Sequence, residues 1–258
     1  MPRIRSVLIT GASSGIGRAL ALAYAEPGVF LHLGGRDAAR LEESAVACRT
    51  RGATVAPHIV DVRDATAMAA WIESADSLDL VVANAGISAG IEDGAPESAS
   101  QVRTIFATNL DGALNAALPA LVKMRGQPPG PDGVRGRIAT VASIAAFLPA
   151  PAAPSYCASK AALDAWTVAT AASARAHGIL LTSVCPGFIR TAMTANNPFP
   201  MPGLMESDRA ARIVVRAIAA GRVRIAFPWW IAAAAHLVGL LPPRLTGALM
   251  RHGKPGLP

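Results

Sequence analysis

The sequence predicts an α/β fold: a doubly wound, mostly parallel sheet of about seven strands with helices on both faces. Three observations predict it. Short apolar runs alternate along the chain with longer segments of helical periodicity, the pattern of repeated strand–helix–strand units. The first apolar run opens onto a glycine-rich loop that leads straight into a helix. Apolar residues make up 52% of the 258 positions and charged residues 16%, which supplies a large core and excludes global disorder.

Each element has a local reason. Val7-Leu8-Ile9-Thr10 is a short apolar run ending at glycine, which fits a buried strand. Residues 16–25 follow as a helix, with Leu20 and Tyr24 one turn apart. Val29 to Leu33 is a second strand, ended by Gly34-Gly35, and 38–49 is an Arg/Glu/Ala-rich helix. A third strand at 55–60, a helix at 65–74 and a fourth strand at 78–83 continue the alternation. Residues 97–123 are expected to form one helix, bent near Pro119. A fifth strand spans 137–142, a helix 154–176, a sixth strand 179–184 and a helix 207–220. There is no internal repeat. The stretch 126–136, with Pro128, Pro129 and Pro131, reads as an exposed loop between helix and strand, so residues 1–258 are expected to form a single domain.

The first residues superficially match a secretory leader, with Arg3 and Arg5 before Val7-Leu8-Ile9 and Ala21 and Ala23 after it. Gly11, Ser13, Ser14, Gly15 and Gly17 interrupt the apolar run, so this segment is expected to remain as folded structure. Cys48, Cys157 and Cys185 are odd in number and far apart, which points to reduced thiols and a cytoplasmic setting. The five histidines are scattered, and no metal site is expected. Net charge is +7 and the sequence pI about 10.1. The arginines are spread out and aromatics are only 5%, too few for a stacking surface, so no nucleic-acid partner is expected.

Thr10-Gly11-Ala12-Ser13-Ser14-Gly15-Ile16-Gly17 lies between the first strand and first helix, where a parallel α/β fold binds a dinucleotide. Glycines let the backbone approach a pyrophosphate, and the helix N-terminus offers unpaired N–H groups. About 20 residues on, the second strand ends at Arg36-Asp37. An acid there suits the ribose 2′-hydroxyl of NAD, and an arginine the 2′-phosphate of NADP. Arg36 comes first, so NADP is expected in preference to NAD. Tyr156 and Lys160 stand four apart in a helical segment and so share one face, with Ser143 upstream. A cation beside a phenol is expected to lower its pKa toward the range of a general acid or base.

On these motifs the chain resembles the short-chain dehydrogenase/reductase family, of the single-domain Rossmann type, from about Val7 to Thr191. Thr10 to Gly17 is similar to the family's TGxxxGxG loop, Asp61-Val62 to its adenine-contacting pair and Asn84-Ala85-Gly86 to its NAG turn. Asn109, Ser143, Tyr156 and Lys160 match its catalytic tetrad, and Pro186-Gly187-Phe188-Ile189-Arg190-Thr191 its PGxxxT segment. Ala83 and Ala142 depart from the usual Asn and Ser, and the 126–136 loop is longer than usual. The resemblance implies hydride transfer at nicotinamide C4 to or from a carbonyl or secondary alcohol. Gly11, Ser13, Ser14, Gly15, Ile16, Gly17, Arg36, Asp61, Val62, Asn84, Ala85, Gly86, Pro186, Gly187, Ile189 and Thr191 would contact the cofactor. In that reading Ser143 binds the substrate oxygen, Tyr156 exchanges its proton, Lys160 holds the nicotinamide ribose, and Asn109 positions a water. The family also contains catalytically idle NADP-binding regulators, an alternative that the intact tetrad disfavours.

The resemblance assigns 192–206 to a lid over the substrate. Met193, Phe199, Met201, Leu204 and Met205 make it apolar and adaptable, which suits a small apolar carbonyl or alcohol. Residues 225–258 form an apolar, basic C-terminal extension in which Trp229-Trp230 precede Ile231 to Leu241. That run is too short to cross a bilayer. Two readings stay open for 225–250: a subunit interface in a homodimer or homotetramer, or peripheral contact with a membrane by a reductase of lipid or steroid-like substrates.

Overall fold

The computed structural model describes residues 4–89, 96–195, 197 and 200–246. β1 (Ser6–Thr10), α1 (Gly15–Tyr24), β2 (Phe30–Gly35), α2 (Ala38–Arg49), β3 (Thr54–Ile59), α3 (Ala65–Ser74) and β4 (Leu80–Ala83) form the first half. α4 (Ala99–Phe106), a π-helical turn (Ala107–Asp111), α5 (Gly112–Gly126), β5 (Gly136–Val141), a 3-10 turn (Ile144–Phe147), α6 (Pro154–Ala176) and β6 (Ile179–Pro186) form the second. The chain then adds β7 (Ile189–Arg190), β8 (Met205–Glu206), α7 (Ser207–Ala219), β9 (Arg224–Phe227) and α8 (Trp229–Gly239).

Seven strands pair in the order β3-β2-β1-β4-β5-β6-β9, every ladder parallel. Alternate side chains of a strand point to opposite faces, and the core divides accordingly. Val7 and Ile9 of β1, with Leu80 and Val82 of β4, pack on α1, α2 and α7. Leu8, Val81 and Ile138 face the other way, onto α3, α5 and α6. Buried on both faces, the central strands are continuously apolar, as the sequence predicts for a doubly wound sheet. The edge strand β3 tolerates Pro57, a residue that central ladders exclude.

Most element ends shift by one or two residues, and three differences from the sequence expectation stand out. The segment 97–123 is not one helix bent at Pro119: α5 runs through Pro119, and the irregularity is the π turn at Ala107–Asp111. Proline is the local signal for a break, but the turn is widened where Asn109 is drawn out to residues across the site. The third strand sits one residue earlier, at Thr54–Ile59, in register with β2. The segment assigned to the lid is shorter at its end, because Met205 and Glu206 pair with Ile189 and Arg190, and Met205 is buried. Phe199 and Pro198 of that segment lie outside the described residues.

The helical run Ala99–Gly126 is long and apolar enough to span a bilayer by length and composition. Here its α5 portion packs on α3 and β4, covering one face of the sheet. The 126–136 loop is exposed but tethered: Gln127 bonds both the N–H and the C=O of Leu78, and Asp132 pairs with Arg137.

Candidate active site

β1 neighbours β2 on one side and β4 on the other, so the chain reverses its direction of progress between β1 and β4. Helices leave the carboxyl ends of these strands in opposite directions, which opens a crevice there. The cavity at this point has a volume of about 660 Å³.

The loop after β1 forms the floor. Gly11 adopts φ +67°, a left-handed conformation, and a Cβ on it would stand 2.9 Å from the Ala85 Cα. A Cβ on Gly17 would fall 2.2 Å from the Gly11 carbonyl oxygen. Gly17 does not line the cavity; it lets α1 close against the loop, so its role is packing rather than cofactor contact. The α1 N-cap Ser14 makes no side-chain capping bond, which leaves first-turn N–H groups for an anion. Thr10 and Asn84 tie the loop to β4. Asn84 Nδ2 donates to the Thr10 carbonyl at 2.9 Å, and Thr10 Oγ1 accepts from the N–H groups of Asn84 and Ala85 at 2.9 and 3.0 Å. These residues suit a dinucleotide: a backbone cradle, an open helix terminus, and room beyond it.

At the far end the cavity reaches Arg36, Asp37, Arg40, Asp61 and Val62. Asp37 is committed elsewhere. Its carboxylate caps α2 by accepting from the Arg40 N–H at 3.0 Å and from Arg40 Nε at 2.7 Å. The Arg40 backbone and side-chain bonds hold it below the usual carboxylate range. Asp61 is likewise gripped by Arg63, whose Nε lies 3.0 Å from both carboxylate oxygens, and its pKa is held down by that contact. Arg36 is exposed at the rim and not engaged by Asp37.

The other end holds the expected tetrad. α6 carries Tyr156 and Lys160, and Ser143 follows β5 as N-cap of the 3-10 turn, accepting from the Ala145 N–H at 3.1 Å. Lys160 is only 4% exposed; its Nζ donates to the Val141 carbonyl at 2.7 Å and lies 5.9 Å from the Tyr156 ring centre. The Ser143 side chain is near enough to the Tyr156 hydroxyl to draw its pKa down in part. The expectation that Lys160 lowers the phenol pKa needs correction. Burial pushes the Tyr156 phenol up, opposed by Ser143, and burial likewise pulls the Lys160 ammonium down to about 8. Desolvation is the leading cause of both shifts, with Lys160 buried and Tyr156 half-buried in the cavity wall.

Asn109 does not line the cavity but stands behind it, fully buried. Its Oδ1 accepts from the Ile87 N–H at 2.8 Å, and its Nδ2 donates to the Ile87 carbonyl at 2.9 Å and to Ser159 Oγ at 3.2 Å. Ser159 in turn donates to the Tyr156 carbonyl. Asn109 therefore pins the segment after β4 to the turn of α6 between Tyr156 and Lys160. Both of its amide hydrogens are committed.

The remaining expected residues, Ser13, Gly15, Ile16, Ala85, Gly86, Pro186, Gly187, Ile189, Thr191 and Met193, all line the same cavity. Several lining residues had no sequence signal, among them Thr108, Ile87 and Thr194. Thr194 donates to the Ile189 carbonyl at 2.7 Å and fixes the start of the segment expected to form a lid. Glu97 is the clearest omission. It accepts from the Ser155 N–H at 3.0 Å and from Ser155 Oγ at 2.7 Å, capping the helix whose own N-cap residue, Ala153, has no capping side chain. One turn past Lys160, Asp164 is buried and receives Arg224 Nε at 2.9 Å, Arg224 Nη2 at 2.6 Å and Ser183 Oγ at 2.7 Å. Burial and this carboxylate push the neighbouring Cys185 thiol up to about 12. Among the described residues no three His, Cys, Asp or Glu side chains gather as a metal cluster.

The family profile described as short chain dehydrogenase matches residues 5–199. The chain is 36% identical over 254 residues to an uncharacterized oxidoreductase of Myxococcus xanthus, covering 96% of each chain. Its fold is similar to that of a short-chain type dehydrogenase/reductase from Mycobacterium marinum, with TM-score 0.76 and 27% identity over 86% of this chain and 93% of the other. It is also similar to a 3-oxoacyl-[acyl-carrier protein] reductase from Brucella melitensis, with TM-score 0.74 and 25% identity over 86% of this chain and 89% of that one.

Proposed function

Because the chain belongs to the short-chain dehydrogenase family and is an oxidoreductase of that family, we propose that it is NADP-dependent and acts on a carbonyl or secondary alcohol of an apolar substrate. One observation carries the cofactor choice. Asp37, the acid that would suit an NAD ribose, is neutralised by Arg40, which leaves Arg36 at the rim for a 2′-phosphate.

When bound, the nicotinamide supplies or accepts the hydride. The chain's own residues do the rest. The Gly11–Gly17 loop and the α1 N-terminus take the pyrophosphate. Ser143 Oγ hydrogen-bonds the substrate oxygen, and the Tyr156 hydroxyl gives that oxygen a proton in reduction or takes it in oxidation. Raised by burial, the Tyr156 pKa keeps the phenol protonated at neutral pH, the state that donates a proton in reduction. Lys160 holds the ribose and stands ready to return a proton, its pKa near neutrality. Asn109 acts as a positioning residue, setting the Tyr156–Lys160 turn against the segment after β4.

Met193 lines the cavity together with Ile87, Ile189 and Ala192. These surroundings favour an apolar substrate. The test is steady-state turnover of ketones, 3-oxoacyl thioesters and steroids with NADPH and NADH. We expect reduction of at least one class with clear NADPH preference. A preference for NADH would overturn the cofactor assignment, and tight NADPH binding with turnover of none would favour a non-catalytic regulator.

A further inference from the structure

The helix α8 buries one narrow face and exposes the rest. Ala232 and Ala235 pack on Ile144, and His236 stacks on Phe147 with ring centres 3.9 Å apart. Outward stand Trp229 (77% exposed), Leu237 (68%) and Leu240 (82%), with Trp230, Leu241 and Leu245 beside them. Trp229, Ala233, Leu237 and Leu240 follow helical spacing, so they form one apolar stripe. His236 is the single polar residue of the helix. An exposed apolar patch of this kind marks a contact surface.

We infer that this face docks onto an anionic lipid surface. Charge decides between the occupants. Through residue 208 the chain has sixteen Lys and Arg against seventeen Asp and Glu; beyond it there are eight against none. Arg224 is held by Asp164, but among the described residues exposed Arg244 stands beside the stripe. A second copy meeting this face through a two-fold axis would bring Arg244 toward its own symmetry mate, with no carboxylate of the segment to offset it. Anionic headgroups supply the missing charge. The composition agrees: paired tryptophans at the start of the helix suit the headgroup boundary, the leucines suit the acyl region, and exposed Arg244 flanks them. α8 is too short to cross a bilayer, so the contact is peripheral. The surface also borders the site, since α8 rests on the 3-10 turn that begins immediately after Ser143. An apolar cavity of about 420 Å³, lined by Ala145 to Pro151 with Cys157, Ala158 and Ala161, shares that turn.

The test uses the full chain and vesicles of phosphatidylcholine, alone or mixed with phosphatidylglycerol. Co-sedimentation with mixed vesicles at low salt is expected to exceed that with phosphatidylcholine by at least roughly tenfold and to fall as salt rises. Trp229→Ser with Trp230→Ser is expected to lower partition to both vesicle types by roughly tenfold or more. Arg244→Glu should reduce it on anionic vesicles alone. Leu240→Gln, at a fully outward position, serves as the variant safest for folding and should weaken binding in the same direction. No binding to anionic vesicles at low salt overturns the proposal. So does a homo-oligomer, seen by sedimentation velocity, that dissociates in the tryptophan variant while neither protein binds vesicles. These readouts are independent of turnover.

Discussion

The Glu97 carboxylate holds Ser155 by both its N–H, at 3.0 Å, and its hydroxyl, at 2.7 Å. Ser155 is the residue before Tyr156, so a side chain from the segment leading into α4 fixes the first turn of the catalytic helix. An anion at this terminus also meets the positive end of the helix dipole. Glu97→Ala is expected to cost about 1 kcal/mol of stability by denaturant titration. It should also lower kcat several-fold with NADPH affinity unchanged, and Glu97→Gln should recover part of both. Equal losses in kcat and NADPH affinity would make the contact merely structural.

Tyr156→Phe removes the proton donor and keeps the ring. Turnover is expected to fall by about 10²–10⁴-fold, while NADPH binding measured by fluorescence stays close to wild type. In the wild type, reduction needs the neutral phenol, and burial keeps it neutral. Reduction should therefore stay level through neutral and mildly alkaline pH, whereas alcohol oxidation, which needs the phenolate, should rise with pH. Parallel profiles in the two directions would contradict the role.

Arg36→Ala is expected to raise KM for NADPH by roughly tenfold or more, through loss of a charge-assisted contact, and to leave NADH kinetics nearly unchanged. Arg40→Ala tests the other half of the argument. It frees Asp37 from its ion pair, so NADH efficiency should rise as NADPH efficiency falls. An Arg40 variant with unaltered cofactor preference would remove the reason given for Asp37's silence.

Lys160 is ordinarily protonated below about 10.5, and burial brings this down to about 8. In the window between these values the unfolded chain binds the additional proton, so stability rises with pH there. Below pH 8 both states are charged and the full desolvation cost stands. Lys160→Met should abolish turnover yet stabilise the fold at neutral pH by about 1–2 kcal/mol, net of the lost bond to the Val141 carbonyl. That advantage should shrink as pH rises above 8. Denaturation midpoints at neutral and alkaline pH check the sign.

What could be read in the sequence was what is local. The Gly11–Gly17 loop, the four-residue spacing of Tyr156 and Lys160 and the strand–helix alternation are short-range patterns, and each predicts its place in the fold. What could not be read depends on partners far along the chain. Asn109 is drawn to Ile87, 22 residues away, so the break in its helix is invisible in a segment where Pro119 is the conspicuous residue. Glu97 reaches 58 residues to Ser155. The direction of the Tyr156 pKa depends on how far the fold withdraws the phenol from solvent, and helical spacing carries no information about solvent. Arg36-Asp37 was ambiguous for the same reason: Asp37's capping of α2 decides which of the two is available.

The match to the family ends at residue 199, but the catalytic helix depends on the chain beyond it. Asp164, one turn past Lys160, is buried, and its counter-charge is Arg224 on the outermost strand. A truncation before residue 224 would strip that carboxylate of its cation and its strand together. The integrity of α6 is therefore tied, through one buried acid behind the cavity, to the strand at the sheet's far edge.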